Sequence, residues 1–107
     1  MNAFEYGEVS EQRANSGEPY LQFVNAGTLS LGLYFLAAGS LDSQLPHAED
    51  EIYYVVAGRG VIDVAGARRE VQPGSIVFVA KEIEHRFVDI EEDLSLLVFF
   101  APEHEPQ

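Results

Sequence analysis

The apolar residues of this chain come in short runs, each cut by Gly, Pro or a charged cluster. No window sustains a 3.6-residue period beyond about one turn, so an amphipathic helix has no obvious place to form. Alternation is common instead. Leu29, Leu31, Leu33 and Phe35 fall on one face of the segment 28–37, and Glu51–Gly58 is rich in β-branched and aromatic residues. The remaining runs are Leu21–Val24, Val61–Ala65, Arg69–Val71, Ser75–Ala80, His85–Asp89 and Ser95–Ala101. Gly58-Arg59-Gly60 and Pro73-Gly74 read as turns, the second because Pro presets φ and Gly accepts a positive one. Many short strands joined by turns imply an all-β sandwich or barrel. The segment 52–56 is apolar on both faces, which requires cover on both sides, from a closed barrel or from a partner subunit.

With 107 residues there is room for one domain. Residues 1–19 read as an N-terminal arm, with Asn2–Gly7 a short edge strand and Ser10–Glu18 a loop. Residues 20–102 form the barrel, and 103–107 a frayed tail. Six Lys and Arg against 18 Asp and Glu give a net charge of -12. Such a chain repels phosphate backbones, so nucleic acid and anionic membranes are excluded as partners. The absence of Cys removes disulfides, zinc–thiolate sites and thiol nucleophiles. The N-terminus lacks a basic start followed by an apolar stretch, and no run is long enough to span a bilayer; a cytoplasmic protein is expected. The glycines at 58 and 60 lie between strands, so they do not form a phosphate-binding loop, and no serine sits in a nucleophile-elbow motif.

The chemistry rests on three imidazoles. His104 lies in the tail and is expected to be solvated. His47 precedes Glu51 by four residues, so on an extended chain the two share a face with Tyr53. His85 opens another strand and shares its face with Phe87. If the strands are neighbours, two imidazoles and one carboxylate converge, a donor set suited to a divalent first-row metal. Otherwise His47 and Glu51 belong to an exposed acidic cluster with Glu49 and Asp50.

Two motifs extend this. Gly39 to Gly58–Gly60 carries a Gly, then Leu45-Pro46-His47, then Glu51, then Gly; Pro73-Gly74 is followed by His85 and Phe87. The pair resembles, in order and spacing, the two conserved motifs of the cupins, and the resemblance covers about residues 28–100. It implies a double-stranded β-helix, or jelly-roll, barrel. It also implies that His47, Glu51 and His85 are metal ligands. The family's first His, in its His-x-His pair, is Leu45 here, which leaves two His and one Glu. Gln44 and Glu49 are possible replacements. The cofactor implied is a divalent transition metal: Zn, Fe, Ni, Mn or Co. The pocket is expected to include Tyr34, Leu45, Tyr53 and Phe87, with Leu31, Leu33, Phe35, Phe78 and Phe99 as further candidates for its wall.

Such a chain is expected to bind a small-molecule ligand and to act on it as a dioxygenase- or isomerase-like enzyme. The alternative is a non-enzymatic binding or sensing module with a degenerate metal site. Small cupins commonly form homodimers through their N-terminal strands. The aromatics Phe4, Tyr6, Tyr20, Phe23, Tyr34 and Phe35 agree with a homodimer, since one small barrel need not bury them all.

Overall fold

The structure is a computed structural model and describes residues 1–105. Helix α1 (Tyr6–Ser16) is followed by β1 (Tyr20–Asn25), β2 (Ser30–Leu36), β3 (Asp50–Val64), β4 (Ala67–Val71), β5 (Ile76–Val79) and β6 (His85–Ala101). The strands form one antiparallel sheet in the order β1-β2-β6-β3-β4, with β5 on the same edge of β3 as β4. The fold is an all-β double-stranded β-helix.

Its framework is the ribbon of β3 and β6, paired from Asp50↔Ala101 to Val64↔His85. The sequence suggested four strands here, with turns at Gly58–Gly60 and at the acidic run. Instead both strands run through and bend. The register shifts three times between Val55 and Val61. Gly58 makes the bend possible: its φ is +93°, and a Cβ there would lie 2.1 Å from the Asp93 carbonyl oxygen. Opposite it, Glu91, Glu92 and Asp93 stay exposed, and the Asp93 carboxylate accepts the Ala38 N–H at 2.8 Å.

The bend rolls the sheet around a single core of Leu36, Tyr53, Val55, Ile62, Val71, Val79, Phe87, Ile90, Leu94, Leu96, Val98 and Phe100. It also brings β6 back on itself. Laid flat, a strand from His85 to Phe100 would span about 50 Å. Yet both rings lie 5.3 Å from the ring of His47.

Register decides the two faces of the sheet. Residues directly opposite one another in an antiparallel pair share a face. Glu51, Tyr53 and Val55 pair with Phe100, Val98 and Leu96, which face the core together with Ser30 and Tyr34. Leu31, Leu33, Phe99, Ile52 and Phe78 therefore lie on the outer face, and so does Phe35. The expectation that these residues line the pocket is corrected by this parity: a step of one residue exchanges the faces.

Part of the outer face is covered by α1, which replaces the expected edge strand and loop. The helical signal was faint because only Val9 of its residues is buried. Its stop signal is clearer. Gly17 adopts a left-handed conformation and its N–H returns to the Ala14 carbonyl. The Arg13 guanidinium stacks 4.5 Å above the Phe35 ring, and Phe4 meets Phe23 edge to face at 5.0 Å. The rest of the face is bare: Ile76 is 68% exposed, Phe78 61%, Ile52 40% and Tyr54 38%. Among the described residues no helix is long and apolar enough to cross a membrane.

Candidate metal centre

Three donors meet inside one end of the barrel. Glu51 is held by the first turn of the ribbon, flanked by Phe100 on β6 and Val79 on β5. His85 is the first residue of β6 and is buried. His47 comes from the loop before β3, fixed where its carbonyl accepts the Glu82 N–H at 2.7 Å. One potential ligand atom from each lies within 4.8 Å of the others. His85 pairs with Val64 and not with Glu51, so the roll of the ribbon, not strand adjacency, brings the three together.

Glu51 is 2% exposed, and its Oε2 has no hydrogen-bond partner. The Nε2 of His85 lies 2.6 Å from Glu51 Oε1, an ion pair when the ring is protonated, and 3.1 Å from the Tyr53 hydroxyl. A buried carboxylate is costly unless a positive charge compensates it. A cation between Glu51 and the two imidazoles meets that need, so the residues fit the metal that their types imply. His85 is also oriented for it. Its Nδ1 lies 2.9 Å from the Ile83 carbonyl, which can only accept, so Nδ1 carries the proton. In the neutral ring Nε2 then holds a lone pair toward Glu51, the arrangement that backbone carbonyls impose on metal-binding imidazoles.

Electrostatics distinguishes the two imidazoles. Burial lowers the His47 pKa, and the charge of Glu51 only partly opposes it. At His85 burial acts in the same direction, but the Glu51 carboxylate and the Ile83 carbonyl outweigh it, and the net shift is upward. Burial first, and the Glu51 charge second, push the Tyr53 phenol well above its ordinary value. Tyr53 is thus a neutral donor at the floor of the site.

A buried carboxylate missed in the sequence organises the rest. Asp42 accepts the Tyr34 hydroxyl at 2.9 Å, the Gln44 amide at 2.8 Å and the Phe87 backbone N–H at 2.8 Å. With its nitrogen committed to Asp42, Gln44 turns its oxygen toward His47 Nε2 and the Tyr53 hydroxyl, both at 3.1 Å. Nothing in the loop sequence GSLDSQ distinguishes Asp42 from an exposed turn residue.

The donors open into a cavity of about 700 Å³, lined by Tyr20, Tyr34, Gln44, Leu45, Tyr53 and Phe100 among others. That size suits a small organic molecule. Of the residues anticipated for the pocket, Tyr34 and Tyr53 form its wall, and Leu45 stands at its rim, 78% exposed. Phe87 does not line it; it is buried in the core, edge to face with Tyr53 at 5.0 Å. Tyr20 was not anticipated, and enters because its ring lies over Gly32.

His104 overturns the expectation of a solvated tail residue. It is partly buried and stacks on Phe100 at 4.3 Å, with its Nδ1 2.5 Å from Oε1 of Glu49. Glu49 therefore faces His104 and stands outside the group of His47, Glu51 and His85. The backbone N–H of His104 donates to Ser30 Oγ, and its carbonyl accepts from Gln22 Nε2, both at 2.9 Å. Residues 106 and 107 of the expected tail lie outside the described residues.

Comparison with known proteins agrees with this architecture. An uncharacterized protein of Streptomyces coelicolor, SCO3923, is 46% identical over 102 residues, covering 95% of this chain and 97% of its own. Among solved structures, KdgF from a Halomonas species has a TM-score of 0.74 at 22% identity, with 80% of this chain and 79% of that one covered. A salicylate 1,2-dioxygenase of Pseudoaminobacter salicylatoxidans, solved in complex with gentisate, has a TM-score of 0.78 at 15% identity; 92% of this chain matches 32% of that enzyme. These structural likenesses concern the fold. Residues 32–100 match the family described as the cupin domain. Extending over both motifs and most of the rolled ribbon, that match makes the chain a member of the cupin family.

Proposed function

We propose that His47, Glu51 and His85 hold a divalent transition metal and that the protein is an enzyme acting on a small oxygen-bearing molecule in the cavity above it. The observation that carries this reading is the convergence of His47, Glu51 and His85 around a buried carboxylate, with one potential ligand atom of each within 4.8 Å of the others. A bound divalent cation would supply Lewis-acid polarisation of a substrate oxygen, or, if iron, oxygen chemistry. The chain's own residues do the rest. Tyr34 and Tyr53 present phenols to the ligand, and Tyr20 and Phe100 give it apolar walls. Glu51 and the backbone-oriented His85 balance the cation's charge. Leu45 in place of a third imidazole leaves room for substrate or water at the rim.

The test is metal content by elemental mass spectrometry on protein purified without affinity tag or chelator, beside His85→Ala. Near one ion per chain in the wild type and little in the variant is the expected result, followed by oxygen-consumption and isomerase screens. No ion in either would turn the reading to a non-enzymatic small-molecule-binding or sensing module, the alternative favoured by the exchange of a ligand for Leu45. Two rows of outer-face residues, Phe78–Ile52–Phe99–Leu31 and Ile76–Tyr54–Leu97, further support a homodimer joined through this face.

A further inference from the structure

A second group of donors stands beside the first. Potential ligand atoms of His47, Glu49 and His104 lie within 4.8 Å of one another. The two groups share His47 and nothing else. From this we propose an outer cation position at the cavity mouth, formed by His47, Glu49 and His104. It alternates with the inner one and takes a borderline divalent ion of the zinc, nickel or copper(II) type. The proposal rests on the metal-binding reading only through His47.

The placement of His104 carries the argument. Its ring is held by stacking on Phe100, and its backbone by Ser30 and Gln22. The residue before it is anchored too: the Glu103 N–H donates to the Gly27 carbonyl, and the Glu103 carboxylate accepts the Gly27 N–H, both at 3.0 Å. The segment after β6 is thus fixed to the start of β2, with one imidazole turned toward the rim. The rings of His47 and His104 lie 5.1 Å apart, much as those of His47 and His85 do at 5.3 Å. Glu49 and His104 now meet each other directly, with Nδ1 against Oε1. A cation entering here takes the place of the proton between them and gains His47 as its third donor. Two imidazoles and a carboxylate, all partly exposed, match the preference of borderline divalent ions and leave positions for water. A single imidazole bound through one nitrogen serves one ion, so the positions fill alternately.

Titration with zinc(II) by calorimetry, and with cobalt(II) by its visible absorption, tests this. The proteins are the wild type, His85→Ala, His104→Phe and the double variant. Phenylalanine at 104 keeps the stack on Phe100 and removes both nitrogens. Glu49→Gln, at the rim, gives a second route to the same loss. If His85→Ala does not fold, as judged by circular dichroism, Glu51→Gln replaces it. The expected result is one equivalent in the wild type. His85→Ala retains one weaker equivalent, and adding His104→Phe weakens that residual binding at least about tenfold. Binding by His85→Ala that persists unchanged in the double variant overturns the outer position, since the ion then lies elsewhere. So does loss of all binding in His85→Ala alone, which leaves the inner site standing. Full wild-type affinity in His85→Ala with none in His104→Phe keeps the outer position and refutes the inner one. No binding by the wild type refutes both.

Discussion

The ring of Tyr20 occupies the space where residue 32 has no side chain. A Cβ on Gly32 would lie 2.3 Å from the ring. Tyr20 is paired in register with Tyr34 and packs edge to face with it at 6.2 Å, while its hydroxyl donates to Gln22 at 2.8 Å. One wall of the cavity therefore depends on a missing methyl group. Gly32→Val should push the ring aside and cost about 1–3 kcal/mol of stability. In a Tyr20→Ala background the same substitution should cost much less. A double-mutant cycle by thermal or denaturant melting measures the coupling, and additive costs would mean the ring does not depend on Gly32.

Gly58 is constrained by backbone and not by a movable side chain. Its positive φ and the 2.1 Å approach to the Asp93 carbonyl leave no way to accommodate even alanine. Gly58→Ala should destabilise the barrel by at least about 2 kcal/mol. Gly60→Ala is the control. It has no positive φ, and its nearest would-be neighbours are at 3.4 Å, so its cost should be smaller. Equal costs in denaturant melts would place the bend elsewhere.

The two imidazoles should titrate in a defined order. In metal-free protein His85, raised by Glu51 and Ile83 against burial, should show a higher NMR midpoint than His47, lowered by burial. The sign of the stability effect follows. A histidine whose folded pKa exceeds its unfolded one binds its proton more tightly when folded. The contribution of His85 is then fully present below the unfolded pKa and lost as pH rises through the folded one. The stability difference between wild type and His85→Gln should shrink as pH rises above the unfolded value of about 6.5. A difference that grows over this range would contradict the assignment.

The bare outer face predicts association. Phe78, Ile52 and Ile76 lie on adjacent strands with no cover from α1, and Ile76 and Phe78 are more than half exposed. Sedimentation should find a dimer for the wild type and a monomer for Ile52→Asp or Phe78→Asp, with the melting temperature of the variants' barrel little changed. A monomeric wild type would remove the homodimer reading.

The strands were legible in the sequence because alternation is a local signal. Period-2 alternation marks a strand wherever it lies, whereas His47 lies in the loop before β3 and meets Glu51 and His85 only through the roll of the sheet. What the sequence hid depends on distant partners. Gly58 reads as a turn because nothing local shows the Asp93 carbonyl passing beside it. Helix α1 buries only Val9, too little for a periodic signal. Alternation shows that Leu31, Leu33, Phe78 and Phe99 share a face with their neighbours at every second position, but not which face is inside. His104 lacked any local mark. Its role comes from Phe100, Ser30 and Glu49, which only the folded barrel assembles around it.

The return of β6 to its own starting point has one more consequence. His85 opens that strand and Phe100 nearly closes it, and the His47 ring stands between them. The strand is in effect a bracelet, and the candidate donors are its clasp. Fastening the clasp with an ion would join chain segments that lie 38 residues apart, from His47 to His85, without any covalent link. Hydrogen exchange at the two ends of β6 should slow together when the ion binds.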